Sequence, residues 1–332
     1  MTAGLYRSFT DMNHIAVIGA GQLGSRHLQG LASLAVPTTL YMVDPVQDSL
    51  DRARQRFQEM PANGHVTALQ AVRNIEELPD RVDLAIVATT AEVRLMLMER
   101  LFSQRTVRNV VLEKVLFQRE EEYGRAGQLL TDNGVKAWVN CPRRIFPIYS
   151  RVLDFFQQDP VRSMQVHGGD WGLGCNCVHF ADLFCFLAGT VVEEYDTGLV
   201  DKGFYAGKRE GFVEFGGTLI GKAGKTSLWM TAVNGSTARH LITIRGEALT
   251  CVIDEVGGQA WFIDADGRWH SEAFNLPYQS QMTGTVATAI LAGDDCGLPT
   301  YLSSAKVHLP LIRSLHTHLL QSGVDTSCCP IT

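Results

Sequence analysis

Residues 14–34, HIAVIGAGQLGSRHLQGLASL, decide the fold. Ile15–Ile18 is a short apolar β-run. It meets Gly19-Ala20-Gly21-Gln22-Leu23-Gly24 and then a helix-like stretch to Leu34. This is G-x-G-x-x-G in a strand–turn–helix context. The first glycine permits the tight turn, the second lets backbone approach a pyrophosphate, and the third lets helix and strand pack closely. The N–H groups and positive dipole end of the following helix suit phosphate. A second apolar run, TLYMVDP (39–45), ends in Asp44, where a carboxylate would hold the adenosine ribose hydroxyls and repel a 2′-phosphate. No Arg immediately follows it, so NAD is favoured over NADP.

The alternation continues outward. DLAIVATT (83–90), NVVLEKVLF (109–117) and VKAWVN (135–140) read as strands buried on both faces, with helical stretches over 46–59, 91–104 and 119–133. The expected fold class is α/β, with an N-terminal Rossmann doubly wound parallel sheet. Ligands in such sheets sit beyond the carboxyl ends of the strands. Thr89, Thr90, Glu113, Lys114 and Asn140 occupy such ends, and the first four of these with Gly19, Gly21, Gln22, Leu23, Gly24 and Asp44 form the expected cofactor-binding set.

After Asn140 the pattern changes. CPRRIFPIYSRVLDFFQQ (141–158) reads as a turn and a helix, and SMQVHGG precedes a long apolar helix. Alternating strands follow over 211–221, 225–233, 240–247, 248–254 and 259–274, with a hairpin signal at 265–268, and helices are expected over 281–292 and 303–321. This predicts a C-terminal α+β domain with a large, mostly antiparallel open sheet. The expected organisation is a leader (1–13), a dinucleotide-binding domain (14–141), a substrate and oligomerisation domain (142–323) and a disordered tail (324–332).

The apolar helix carries the second chemical signal. It is expected over Gly174–Ala188, with Gly189 as its stop. Cys177, Phe180, Leu183, Phe184 and Leu187 share one face; Cys175, His179 and Asp182 lie opposite, within about 60° of one another. A buried His satisfied by a nearby Asp and an acid/base helix are both compatible with that pattern.

Composition excludes several classes. Charged residues are 19% and the net charge is −6, which leaves no basic footprint for nucleic acid. No apolar run reaches membrane-span length, and the N-terminal residues lack the apolar core of a signal peptide. The eight cysteines are scattered without a CxxC pair, which fits a reducing cytoplasm rather than a disulfide framework or a zinc site; no metal is expected.

Four stretches together resemble the Gfo/Idh/MocA oxidoreductases, the glucose–fructose oxidoreductase and inositol dehydrogenase family. They are GAGQLGSRH (19–27), EKVLF (113–117), RRIFPIYSRV (143–152) and CNCVHFADLFCFLAG (175–189). The resemblance runs from about His14 to about Gly323. It implies hydride transfer between nicotinamide and a carbon of a sugar or polyol, with Lys114 and His179 handling the hydroxyl proton. Asp182 would orient His179 or bind substrate hydroxyls. Arg143, Arg144, Asn176 and Cys175 are the expected substrate contacts, the arginines together with Lys202 being candidates for an anion on a sugar nucleotide or acidic sugar. The resemblance also implies a homodimer or homotetramer built on the open sheet.

Departures from the family pattern are explicit. Cys175 stands where the family has the Asp four residues before the His, Cys177 where it has Gly, and Val115 where it has Pro. The family's His in the fourth-strand loop is missing from TTAEVR, which offers Arg94. A thiol orients a histidine poorly. Two alternative uses of the cofactor site therefore stand beside the dehydrogenase: a redox-neutral NAD-assisted epimerase or glycoside-cleaving enzyme, and a non-catalytic NAD-binding sensor.

Overall fold

A computed structural model describes residues 12–332. The expected leader lies outside the described residues except for Met12 and Asn13, and Asn13 already opens the first strand. The chain divides into two compact units. One comprises the residues up to Glu113, Ala126–Asn140 and Pro277–Leu298; the other comprises Lys114–Arg125, Cys141–Leu276 and Pro299–Thr332. Against the contiguous ranges expected from the sequence, the units exchange the segments 114–125 and 277–298.

The first unit is a parallel α/β layer. In chain order it runs β1 (Asn13–Ile18), α1 (Gln22–Leu31), β2 (Thr38–Val43), α2 (Gln47–Gln58), β3 (Val66–Val72), β4 (Arg81–Val82), β5 (Leu84–Val87), α3 (Ala91–Gln104), β6 (Thr106–Val107) and β7 (Asn109–Leu112). Helix α4 (Glu120–Asp132) ends in it, and β8 (Lys136–Val139) completes its sheet. The sheet order is β3-β2-β1-β5-β7-β8, all parallel; β4 and β6 form a separate two-stranded pair. Strand order reverses between β1 and β5, the switch point at which open parallel sheets bind ligands. Ile15, Val17, Leu40, Met42, Val110 and Leu112 are fully buried, which is why these strands read as unbroken apolar runs. β3, like the two-residue β4 and β6, is a strand not expected from the sequence. It is an edge strand, half-buried along most of its length, so its pattern carries little signal.

The second unit contains α5 (Pro147–Phe155), β9 (Ser163–Gly168), α6 (Leu173–Ala188), β10 (Glu194–Ala206), β11 (Val213–Ala223), β12 (Thr226–Ala232), β13 (Leu241–Arg245), β14 (Thr250–Asp254), β15 (Gln259–Ile263) and β16 (Trp269–Ala273). Helix α7 (Gln279–Ala292) returns to the first unit and α8 (Tyr301–Gln321) closes the second. The eight strands run β10-β11-β12-β9-β13-β14-β15-β16, with β9 and β12 the one parallel pair. This is the mostly antiparallel sheet expected. Gly267, at φ 77°, turns the β15–β16 hairpin.

The tail corrects the sequence reading. Residues 324–332 look polar and free, yet Cys329 and Ile331 are fully buried. The Val213 amide donates to the Pro330 carbonyl (2.9 Å) and the Cys329 amide to the Gln118 carbonyl (3.0 Å). Among the described residues no helix is long and apolar enough to cross a membrane.

Candidate active site

The first unit presents the glycine turn between β1 and α1. Gly19 has φ 92°, a conformation only glycine adopts freely. A Cβ on Gly24 would stand 1.8 Å from the Gly19 carbonyl oxygen, so the third glycine is enforced by backbone contact. A Cβ on Gly21 would meet nothing within 4 Å, and Gly21 caps α1 with no side-chain hydrogen bond. The turn is therefore open where a pyrophosphate would approach, and the first helical N–H groups have no side-chain cap. Gln22 and Leu23 open α1, and the Gln22 side chain accepts from Arg56 (2.8 Å). Asp44 ends β2: one carboxylate oxygen accepts from the Ala20 amide and the other from the Val46 amide, both at 2.9 Å. Each oxygen keeps a lone pair for a ribose hydroxyl. Thr89 and Thr90 follow β5. The Thr89 hydroxyl is buried without a partner among the described residues, and its methyl would lie 3.1 Å from a Cβ on Gly19. These residues fit a dinucleotide.

Arg94 stands in α3 as a fully buried residue that donates to the Thr89 carbonyl, so it shapes the turn and is withdrawn from solvent. Behind the glycine turn runs a buried polar network. His27 Nε2 lies 2.8 Å from Glu113 Oε1, and His27 Nδ1 lies 3.0 Å from Thr283 Oγ1. Asn140 Nδ2 donates to Glu113 (2.6 Å) and to Gln279 (2.9 Å). Glu113, placed in the cofactor set by its strand end, is thus held inside this network, at 3% exposure. His27 is visible in the sequence only as the last letter of GAGQLGSRH; Gln279 and Thr283 lie about 250 residues away and leave no local signal.

The second unit holds the other expected residues around α6. Lys114 follows Glu113 directly, and the Lys114–Val115 peptide is cis. Lys114 Nζ donates to the Cys175 carbonyl (2.9 Å) in the first turn of α6. His179 lies one turn further on. Its Nδ1 is buried with no hydrogen-bond partner among the described residues. Burial, with Lys114 and then Arg143 adding positive charge nearby, holds the imidazole well below the usual histidine range. It is therefore neutral at pH 7.

Asp182 does not orient His179. It is fully buried and accepts two hydrogen bonds from the Arg144 guanidinium, both at 2.7 Å. Burial pushes its carboxyl up, and Arg144 opposes that rise. Arg143 is likewise paired: it donates twice to Glu255 (2.9 and 2.7 Å) and lies 4.4 Å over the Phe180 ring. Tyr149 donates to the same carboxylate (2.6 Å). Burial opposes ionisation of Glu255, yet Arg143, His240 and Tyr149 together hold it at about 2. The two arginines expected as anion contacts are thus neutralised by buried carboxylates. Lys202 stands exposed on β10. Asn176 donates from Nδ2 to the Trp171 carbonyl (2.7 Å), which fixes the loop entering α6.

Cys175 has a carboxylate beside it after all, from another element. Glu214 on β11 accepts from the Gly174 amide (2.6 Å) and the Cys175 amide (3.1 Å). It serves as the N-terminal cap that Gly172 does not supply. Burial and Glu214 push the Cys175 thiol up to about 12, so it is no thiolate nucleophile near neutral pH. Glu214 escapes sequence reading because one acid in an alternating strand looks like any solvated position.

This geometry agrees with comparison to known proteins. Residues 13–141 match the Gfo/Idh/MocA description "Oxidoreductase family, NAD-binding Rossmann fold". Solved structures extend the likeness of fold to nearly the whole chain. The UDP-N-acetylglucosamine 3-dehydrogenase GnnA from Acidithiobacillus ferrooxidans is similar over 95% of this chain and 99% of its own, at 14% identity and a TM-score of 0.68. The transcriptional regulator Gal80p from Kluyveromyces lactis is similar over 93% of each chain, at 12% identity and a TM-score of 0.68. The dehydrogenase MviM from Clostridium difficile is similar over 93% of this chain and 99% of its own, at 11% identity and a TM-score of 0.67. No curated protein matches the chain. The Gfo/Idh/MocA match accounts for the glycine turn and for a nicotinamide cofactor; α6 lies beyond the matched residues.

Proposed function

We propose that this protein is an NAD(H)-dependent oxidoreductase acting on a CH–OH carbon of a sugar, polyol or sugar derivative. The observation that carries the reading is the Lys114–Cys175 hydrogen bond, which puts an ammonium on the first turn of α6, one turn from a neutral His179 whose Nδ1 has no hydrogen-bond partner among the described residues. A neutral imidazole can take a hydroxyl proton during oxidation and return it during reduction. The Lys114 ammonium has three N–H donors, and beyond its bond to Cys175 it can stabilise the alkoxide that forms on the substrate oxygen. When bound, NAD supplies the hydride acceptor. Asp44 supports NAD over NADP, because its carboxylate suits a ribose diol and opposes a phosphate.

Similarity to a UDP-N-acetylglucosamine 3-dehydrogenase supports nucleotide sugars as the first substrate class to examine. The proposal includes a cytoplasmic homodimer or homotetramer formed through the open face of the eight-stranded sheet, where Trp229, Leu241 and Trp269 are exposed.

The test is titration with NADH and NADPH by fluorescence, then absorbance at 340 nm across polyols, sugars, acidic sugars and nucleotide sugars. NADH formation that depends on one substrate class, and is lost in Lys114→Met with NADH still bound, is the expected result. Tight binding with no absorbance change across the panel would transfer the case to borrowed-hydride chemistry or to a sensor. Failure to bind either dinucleotide would sink the proposal.

A further inference from the structure

The segment that reads as a free tail passes under the first turn of α6. Besides its bonds to α8, its contacts fall on three pieces of the second unit. The first is the loop 114–118. Val115, Leu116 and Phe117 are buried there, the Cys329 amide donates to the Gln118 carbonyl (3.0 Å), and the Gln118 side chain donates back to the Ile331 carbonyl (3.0 Å). The second is β11: the Val213 amide donates to the Pro330 carbonyl (2.9 Å), and the next residue is Glu214. The third is α6 itself, where a Cβ on Gly174 would stand 3.2 Å from Ile331 Cγ2.

These pieces also fix Lys114. The loop begins with it. Glu214 holds the Gly174 and Cys175 amides, and the Cys175 carbonyl receives the ammonium. The tail touches all three, by backbone hydrogen bonds to the loop and β11 and by the Ile331 side chain beside Gly174. Hydrogen bonds on both sides of Gln118 clamp the loop as a strand pairing would, and Ile331, 1% exposed, seals the gap beside Gly174.

We propose that Cys329–Ile331 is a positioning strap for Lys114. It holds the loop, β11 and the start of α6 in one register, so that the ammonium keeps its place on the Cys175 carbonyl. The proposal rests on the reading of Lys114 as a substrate-contacting group. Cys329, Ile331 and Gln118 are positioning residues and contact no reactant.

The test compares wild type, Ile331→Ala and Ile331→Val in the full chain. Hydrogen exchange is followed by mass spectrometry on peptides covering 112–119 and 172–178, alongside steady-state kinetics of NAD-linked turnover. A misplacement on the ångström scale costs about a hundredfold in rate, so Ile331→Ala is expected to lower kcat by about ten- to a hundredfold while the KM for NAD changes less than about threefold. Exchange in both peptides should rise, with peptides covering 15–31 unchanged, and Ile331→Val should recover most of both losses. Unchanged exchange in 112–119 and 172–178 overturns the strap whatever the kinetics show. Raised exchange with unchanged kcat overturns its positioning role. If the wild type turns over no substrate, the Lys114 reading falls, and the exchange result alone decides whether the segment clamps the loop. Should Ile331→Ala fail to fold, Gln118→Leu, which removes the side-chain donor to the Ile331 carbonyl, is expected to show the same rise in exchange and fall in kcat and carries the comparison with wild type.

Discussion

Removing the Arg144 guanidinium while keeping its bulk, as in Arg144→Met, should expose the true role of Asp182. The carboxylate is fully buried and its two oxygens accept from Arg144 at 2.7 Å. Without that partner the group would give up its charge rather than remain an unpaired buried anion. Holding a carboxyl of ordinary pKa about 3.9 in its neutral form at pH 7 costs about 4 kcal/mol of folding stability, which caps the penalty. The sign follows from linkage. In the variant the folded pKa stands well above the unfolded one, so stability is greatest in acid and is lost as pH rises. The penalty should shrink by about 1.4 kcal/mol for each pH unit between 7 and 5. Urea denaturation of wild type and variant at pH 5, 6 and 7 measures it. The double variant Arg144→Met/Asp182→Leu removes both charges and should recover most of the loss, as buried ion pairs replaced by apolar groups do. A penalty below about 1 kcal/mol, or one that does not vary with pH, would refute the assignment of Asp182 to structure and return it to the proton relay.

Three further outcomes are expected. Gly24→Ala should abolish NADH binding in fluorescence titration, since its Cβ would fall 1.8 Å from a backbone oxygen, whereas Gly21→Ala meets no protein atom and should leave thermal stability unchanged while weakening NADH. With its pKa pushed up to about 12, Cys175 should resist iodoacetamide at pH 7.5, and Cys175→Ser should keep turnover; rapid alkylation of Cys175, read by peptide mass mapping, would count against that burial. Lys114→Met removes a positive charge near His179 and should raise the His179 pKa toward the ordinary histidine value, though burial still holds it down; histidine NMR titration can follow the shift, and an unmoved His179 midpoint would count against Lys114 as one of its causes.

The nucleotide end of the protein was legible because its constraints are local. Gly19, Gly24 and Asp44 answer to contacts within one turn and two neighbouring strands, and the buried strands announce themselves by unbroken apolar runs. The region around α6 was legible only in outline. Helical periodicity separates Asp182 from the packing face, and the natural inference is that it faces a cleft. In fact both faces of the helix are covered there, one of them by Arg144, 38 residues earlier in the chain. Composition likewise cannot show that a polar tail will pair its backbone with Gln118 and Val213. Sequence patterns report which side chains prefer burial; the partner that makes burial of an acid tolerable comes from elsewhere in the chain.

Helix α7 packs against α1 so closely that a Cβ on Gly30 would stand 2.8 Å from the Thr283 side chain, and Gln279 and Thr283 complete the network around His27. The first unit therefore waits for Pro277–Leu298 before its buried acid is fully enclosed. During synthesis at about 5–20 residues per second, that leaves an interval of roughly ten to thirty seconds after Asn140 in which Glu113 and His27 lack their last neighbours. A nascent chain stalled in that interval would be a natural client for chaperones, and a fragment cut at residue 141 would stay in that state permanently.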